Sequence, residues 1–91
     1  MVYLCNPNNP TATLHPGTAM ERCIDRVHAT SPETVIVVDE AYHEYVTDPA
    51  HRTMIPHAME RRNVVVTRTF SKAYGLAGLR LGYGVGHPET V

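Results

Sequence analysis

A chain of 91 residues, 43% hydrophobic and 19% charged, has the composition of an ordinary globular domain and room for one small core. Eight basic side chains against nine acidic ones leave no field that would gather nucleic acid or an anionic membrane. Cys5 and Cys23 belong to no CxxC pair, which argues against a disulfide framework or a cysteine-held zinc, and no apolar stretch approaches a membrane span. The expectation is a cytoplasmic chain with reduced thiols.

In chain order, Val2 to Cys5 is an apolar run stopped by NPNNP, whose prolines and asparagines impose turn geometry: a strand, then a loop. From Gly17 to Ala29 the residues Met20, Cys23, Ile24 and Val27 recur at helical spacing, with Glu21, Arg22, Asp25 and Arg26 between them. This predicts an amphipathic helix closed by Ser31-Pro32. Val35 to Val38 is uniformly apolar and β-branched, the pattern of a strand covered on both faces, and it ends at Asp39. A mixed segment follows. Val64 to Val66 repeats the strand pattern and leads into TRTFSKAYG, and the stretch from Leu79 to Val85 reads as a further strand.

Strand, helix, strand, mixed segment, strand is the order of an α/β sheet, in which ligands sit beyond the carboxyl ends of the strands. Asn9, Asp39 and Ser71-Lys72 each follow an apolar run and are expected to gather at that edge.

Lys72 is the only lysine beside seven arginines. It reads either as a solvated loop residue or as an amine whose partial desolvation leaves a nucleophilic fraction near neutral pH. Asp39, at the end of an apolar strand, needs a partner: the N-terminus of the next segment, which it would cap, a buried ion pair or a cationic ring nitrogen. Thr69, Ser71 and Arg80 form a set that suits a phosphate, and they are equally ordinary loop residues. The six histidines lack metal-ligand spacing, since His43-Glu44 has no second histidine four residues on; no metal site is expected. Gly82, Gly84 and Gly86 come too late in the chain for a dinucleotide fingerprint and suit a strand with close backbone approach.

Taken together, NPNNPT (6–11), VVDEAYHEY (37–45) and TRTFSKAYGLAGLRLGYG (67–84) resemble the fold-type I aminotransferases that depend on pyridoxal 5'-phosphate, and within them the histidinol-phosphate branch. The resemblance implies an α/β fold: part of the three-layer α/β/α large domain, with a mostly parallel sheet over residues 1–91. The N-terminal segment and the C-terminal small domain of such enzymes are expected to lie outside this chain. Lys72 then resembles the Schiff-base lysine, Asp39 the partner of the pyridine nitrogen, Tyr42 and Asn9 the donors to the phenolic oxygen, and Thr69, Ser71 and Arg80 the phosphate holders. The implied reaction moves an amino group from an amino acid or histidinol phosphate to a 2-oxo acid, in a homodimer. A decarboxylase or carbon-sulfur lyase on the same fold, and a non-catalytic truncated product, are the alternatives. The chain departs from the family at Ala12, where glycine usually follows NNPT; a left-handed conformation there costs alanine about 1 kcal/mol.

Overall fold

Three parallel strands lie side by side in chain order, β1 (Val2–Cys5), β2 (Ile36–Asp39) and β3 (Val64–Thr69), and β4 (Gly82–Gly86) joins the far edge of β3 antiparallel. The structure, a computed structural model, describes residues 1–91. The α/β class and the mostly parallel sheet therefore stand. The register places Leu4 beside Val38 and Val38 beside Val66, while Cys5, Asp39 and Thr67 fall in line one residue later.

Helix α1 spans Gly17–Thr30 and starts at Pro16, whose fixed φ suits a helix entry. Its last turn is closed by the Ser31 N–H donating to the Val27 carbonyl at 2.8 Å. The periodic positions Met20 and Ile24 are buried, as their spacing requires. A short second helix, α2 (Ile55–Glu60), carries proline in its first turn, where the N–H has no helical acceptor to lose. Only six residues long, it was too short for periodicity to separate it from the mixed segment. A 3₁₀ turn, His43–Tyr45, follows β2, and another, Ala77–Leu79, precedes β4. Leu79 thus ends a turn, and the last strand begins three residues later than its apolar pattern suggests.

One core cluster joins Met20 and Ile24 of α1, Ile36 and Val38 of β2, Met54 and Ala58 at α2, and Val64 and Val66 of β3. Each fully buried Ile or Val contributes roughly 1.5–3 kcal/mol. Because all these residues form one cluster, both helices lie on the same face of the sheet. Of the three layers expected, the chain supplies two. The other face, carrying Val37 and Val65, is half-buried, so the uniform apolar runs are covered on one side and not on both. No helix is long and apolar enough to cross a membrane.

Candidate active site

The carboxyl ends of β1 and β2 open into two loops, and their geometry decides which side chains meet. The loop after β1 is tied at its base by Asn6, which is almost fully buried. Its amide donates to the His15 carbonyl at 3.0 Å and its carbonyl oxygen accepts the His15 N–H at 2.8 Å, so one side chain closes a ten-residue loop. Asn6 also donates its backbone N–H to the Asp39 carbonyl at 3.0 Å, which joins that loop to the end of β2. Within the loop the Asn6–Pro7 and Asn9–Pro10 peptides are cis, and Ala12 has φ 57°, the left-handed conformation expected at the position where glycine is usual.

Asn9, Asp39, Tyr42 and Lys72 line one cleft of about 330 Å³, together with Tyr3 and Cys5. The volume lies at the lower end of the roughly 300–1,000 Å³ of small-molecule sites. Asp39 is half-buried and uses both oxygens: Oδ1 accepts the Ala41 N–H at 2.9 Å, and Oδ2 accepts the Tyr3 hydroxyl. The first closes a local turn in place of the N-cap or ion pair expected of it, since the 3₁₀ turn that follows has no side-chain cap; the second joins residues 36 positions apart and leaves no local signal in the sequence. Tyr3 reaches Asp39 because Cys5 pairs with Asp39 across the sheet and Tyr3 stands two residues earlier on the same face. That bond, assisted by partial burial and the carboxylate charge, pushes the Tyr3 phenol from its ordinary 10.0 up to about 12.

Lys72 is exposed, and its Nζ stands 5.9 Å from the centre of the Tyr42 ring, within cation–π range. The partial desolvation considered for it is therefore not supplied by these 91 residues.

The phosphate-suited set does not line this cleft. Thr69 lies on the Asp39 face of the sheet, two residues beyond Thr67, and its hydroxyl accepts the Ser71 N–H at 3.0 Å. Arg80 is exposed at the end of the second 3₁₀ turn, where its guanidinium donates to the Ala77 carbonyl at 3.4 Å. Its backbone is left-handed, φ 53°, a conformation that costs a non-glycine residue about 1–2 kcal/mol. Such strain persists where the surroundings or a function demand it.

Sequence reasoning passed over Tyr3, Asn6 and the Glu40–Arg68 pair. Tyr3 was only one residue of an apolar run, and Asn6 one of three asparagines in a loop. Glu40 lies beside Asp39, yet strand alternation turns it to the opposite face, where it is 1% exposed.

The donor set of the cleft has a definite chemistry. A carboxylate, an amine, an amide and a phenol around one cavity suit a planar heterocycle with a basic ring nitrogen, an oxygen substituent and a carbonyl.

Comparison with known proteins agrees with this chemistry. The chain is 50% identical over 91 residues to the aromatic amino acid aminotransferase of Mycobacterium avium, covering 100% of this chain and 25% of that protein. It superimposes on the histidinol-phosphate aminotransferase of Sinorhizobium meliloti, solved in complex with pyridoxal-5'-phosphate, with a TM-score of 0.80 and 43% identity, over 98% of this chain and 23% of that one. The L-threonine-O-3-phosphate decarboxylase of Porphyromonas gingivalis gives a TM-score of 0.79 at 35% identity, over 97% of this chain and 25% of that one. The chain thus spans about a quarter of the length of these relatives. Residues 1–91 match the family described as aminotransferase class I and II from end to end, and the chain belongs to that family.

Proposed function

We propose that residues 1–91 are the cofactor-bearing part of the large domain of a pyridoxal 5'-phosphate dependent aminotransferase that acts as a homodimer. The observation that carries this reading is the single cleft lined by Asn9, Asp39, Tyr42 and Lys72. Bound there, the cofactor supplies a carbonyl that condenses with amines and a ring that accepts electron density from the substrate Cα. In this reading Lys72 Nζ would hold the cofactor and, once displaced by the substrate amine, would take up the proton lost from the substrate Cα. The Asp39 carboxylate holds a proton on the ring nitrogen, favouring the charged form by its own charge. Asn9 and Tyr42 donate to the phenolic oxygen. Thr69, Ser71 and Arg80 hold the phosphate, with Arg80 supplying charge-assisted donors.

The proposed donor is an amino acid with a large apolar or aromatic side chain, and the acceptor is a 2-oxo acid. A second cleft of about 590 Å³ shares Asn8, Asn9 and Tyr42 with the first and is walled by Pro7, Leu14, Tyr45 and Val46. No lysine, arginine or histidine lines it, and Asp48 does. That lining suits an aromatic ring and disfavours the phosphate of histidinol phosphate, a preference in keeping with the name of the Mycobacterium avium relative.

The test uses the complete enzyme that carries these residues. Borohydride reduction after loading, followed by peptide mapping, is expected to leave the pyridoxyl label on the peptide holding Lys72. Phenylalanine is expected to convert the cofactor to pyridoxamine phosphate faster than histidinol phosphate does. A label elsewhere refutes the role of Lys72; release of carbon dioxide in place of amino transfer identifies a decarboxylase.

A further inference from the structure

Asp39 and Glu40 are consecutive, and they face opposite sides of the sheet. Asp39 lines the cleft, whereas Glu40 enters the helix-covered face and is almost completely buried. A carboxylate removed from water needs several donors to be tolerated. Glu40 has them: Oε1 accepts the Met54 N–H at 2.7 Å, and Oε2 accepts the Thr53 hydroxyl at 2.8 Å and the Arg68 Nη2 and Nε at 2.8 and 3.1 Å. Arg68 Nη2 also donates to the Thr53 hydroxyl at 3.0 Å, and the Glu40 N–H donates to the Thr67 carbonyl at 2.9 Å. One carboxylate therefore joins the turn after β2, the entry to α2 and strand β3.

Net stability is a poor account of such a pair, because the cost of desolvating two charges commonly cancels their attraction and apolar side chains of similar volume serve as well. What the pair does distinctively is connect two short segments that bear the cleft residues. Glu40 sits between Asp39 and Tyr42, and Arg68 sits four residues before Lys72. The parallel ladder ends at the same level, Asp39 beside Thr67, so beyond it the side-chain link between Glu40 and Arg68 sets how the two loops stand relative to each other.

We propose that Glu40 and Arg68 are a positioning pair for the cofactor: they hold Asp39 and Tyr42 in register with Lys72 from the opposite face of the sheet. The proposal rests on the functional reading above. Neither residue lines the cleft, so neither is a catalytic residue.

Glu40→Gln alone leaves the partly buried Arg68 without a counter-charge and is expected to lower the unfolding midpoint. Glu40→Gln with Arg68→Met is the informative variant. The glutamine side chain can still accept from the Met54 N–H and donate to the Thr53 hydroxyl, and methionine fills the space of the guanidinium, so the side-chain link from Glu40 to β3 is lost while the Glu40 N–H bond to the Thr67 carbonyl stays; the Arg68 interactions with Thr53 and Tyr83 go with the guanidinium. In the complete enzyme the double variant is expected to recover most of the unfolding midpoint. Its dissociation constant for pyridoxal phosphate should be at least tenfold higher, and the visible circular dichroism band of the bound cofactor should be at least halved at saturation. Recovered midpoint with wild-type affinity and band would overturn the proposal. Should the double variant fail to regain the fold, Arg68→Lys decides, since it keeps the charge but loses the paired donation from Nε and Nη2: a threefold weaker affinity with a reduced band supports positioning, and wild-type values overturn it. The wild-type protein separates the two readings, because failure of wild type to take the label at Lys72 refutes the cofactor assignment itself, independently of any variant.

Discussion

The hydroxyl of Tyr3 donates to the carboxylate of Asp39 across the first two strands, joining residues 36 positions apart at the wall of the cleft. The same bond holds the Tyr3 phenol up at about 12, well above its ordinary 10.0. A pKa raised on folding means that the bond's contribution to stability is fully present below about pH 10 and disappears as the pH rises through about 12. An ultraviolet titration of the five tyrosines is expected to show one late phase near pH 12, absent in Tyr3→Phe. If the amplitude lost in Tyr3→Phe lies near the ordinary 10.0 and the wild type shows no late phase, Tyr3 does not hold Asp39 in solution.

Asp39 has a structural bond to the Ala41 N–H as well as its place in the cleft, so the two roles need separate readouts. In the complete enzyme Asp39→Ala is expected to retain part of its cofactor binding while losing most of its rate, a drop of at least a hundredfold in kcat, because on the proposed function the ring nitrogen would lose the charge that keeps it protonated. Asp39→Asn keeps an acceptor for the Ala41 N–H and should show the same rate loss with better stability. Equal losses of binding and rate in both variants would mark Asp39 as structural.

Ala12 holds φ 57° in an exposed turn whose backbone is closed by the Ala12 N–H donating to the Asn8 carbonyl at 2.8 Å and the Asn8 N–H to the Thr13 carbonyl at 2.9 Å. Glycine adopts that conformation without the Cβ clash. Ala12→Gly is therefore expected to stabilise the fold by about 1 kcal/mol, the left-handed cost of alanine less part of the extra entropy glycine loses. Urea unfolding of the two proteins measures it, and a destabilised glycine variant would contradict the strain.

His43 Nδ1 and His51 Nε2 lie 2.8 Å apart beside the Glu40–Arg68 pair. Burial first, then the charge of His43, lowers the pKa of His51; Arg68 adds to this, while Glu40 and Asp48 oppose it. A histidine with a lowered folded pKa favours the fold while it is neutral. Stability is thus retained above the ordinary value of 6.5 and lost as the pH falls from there through the lower folded value. Unfolding midpoints measured from about pH 7 to about pH 5 should fall for the wild-type protein and fall less steeply for His51→Gln. Parallel slopes would exclude His51 as the source.

Much of the fold follows from local pattern. The spacing of Met20, Ile24 and Val27 is enough to define one helix face, because a period of 3.6 residues brings them together whatever surrounds them. The valine runs define strands for a similar reason; the three motifs in order carry the family resemblance, and the polar residues that follow each apolar run nominate Asp39 and Lys72 for one edge of the sheet. The αL conformation of Ala12 was also legible, since a glycine position occupied by alanine announces it.

The tertiary structure decided the rest. A run such as Val35 to Val38 has no polar alternation, so nothing in it says which residues face a helix; that was settled when α1 and α2 packed on one side, burying Ile36 and Val38 and leaving Val37 half-exposed. The register then fixed that Tyr3 meets Asp39 and that Glu40 meets Arg68, 28 residues away. Hydrogen-bond partners so distant in the chain leave no periodic trace in it, because their meeting depends on how whole strands align. For the same reason the sequence could name Thr69, Ser71 and Arg80 as suited to a phosphate, while only the folded chain shows that they stand outside the cleft that gathers Asn9, Asp39, Tyr42 and Lys72.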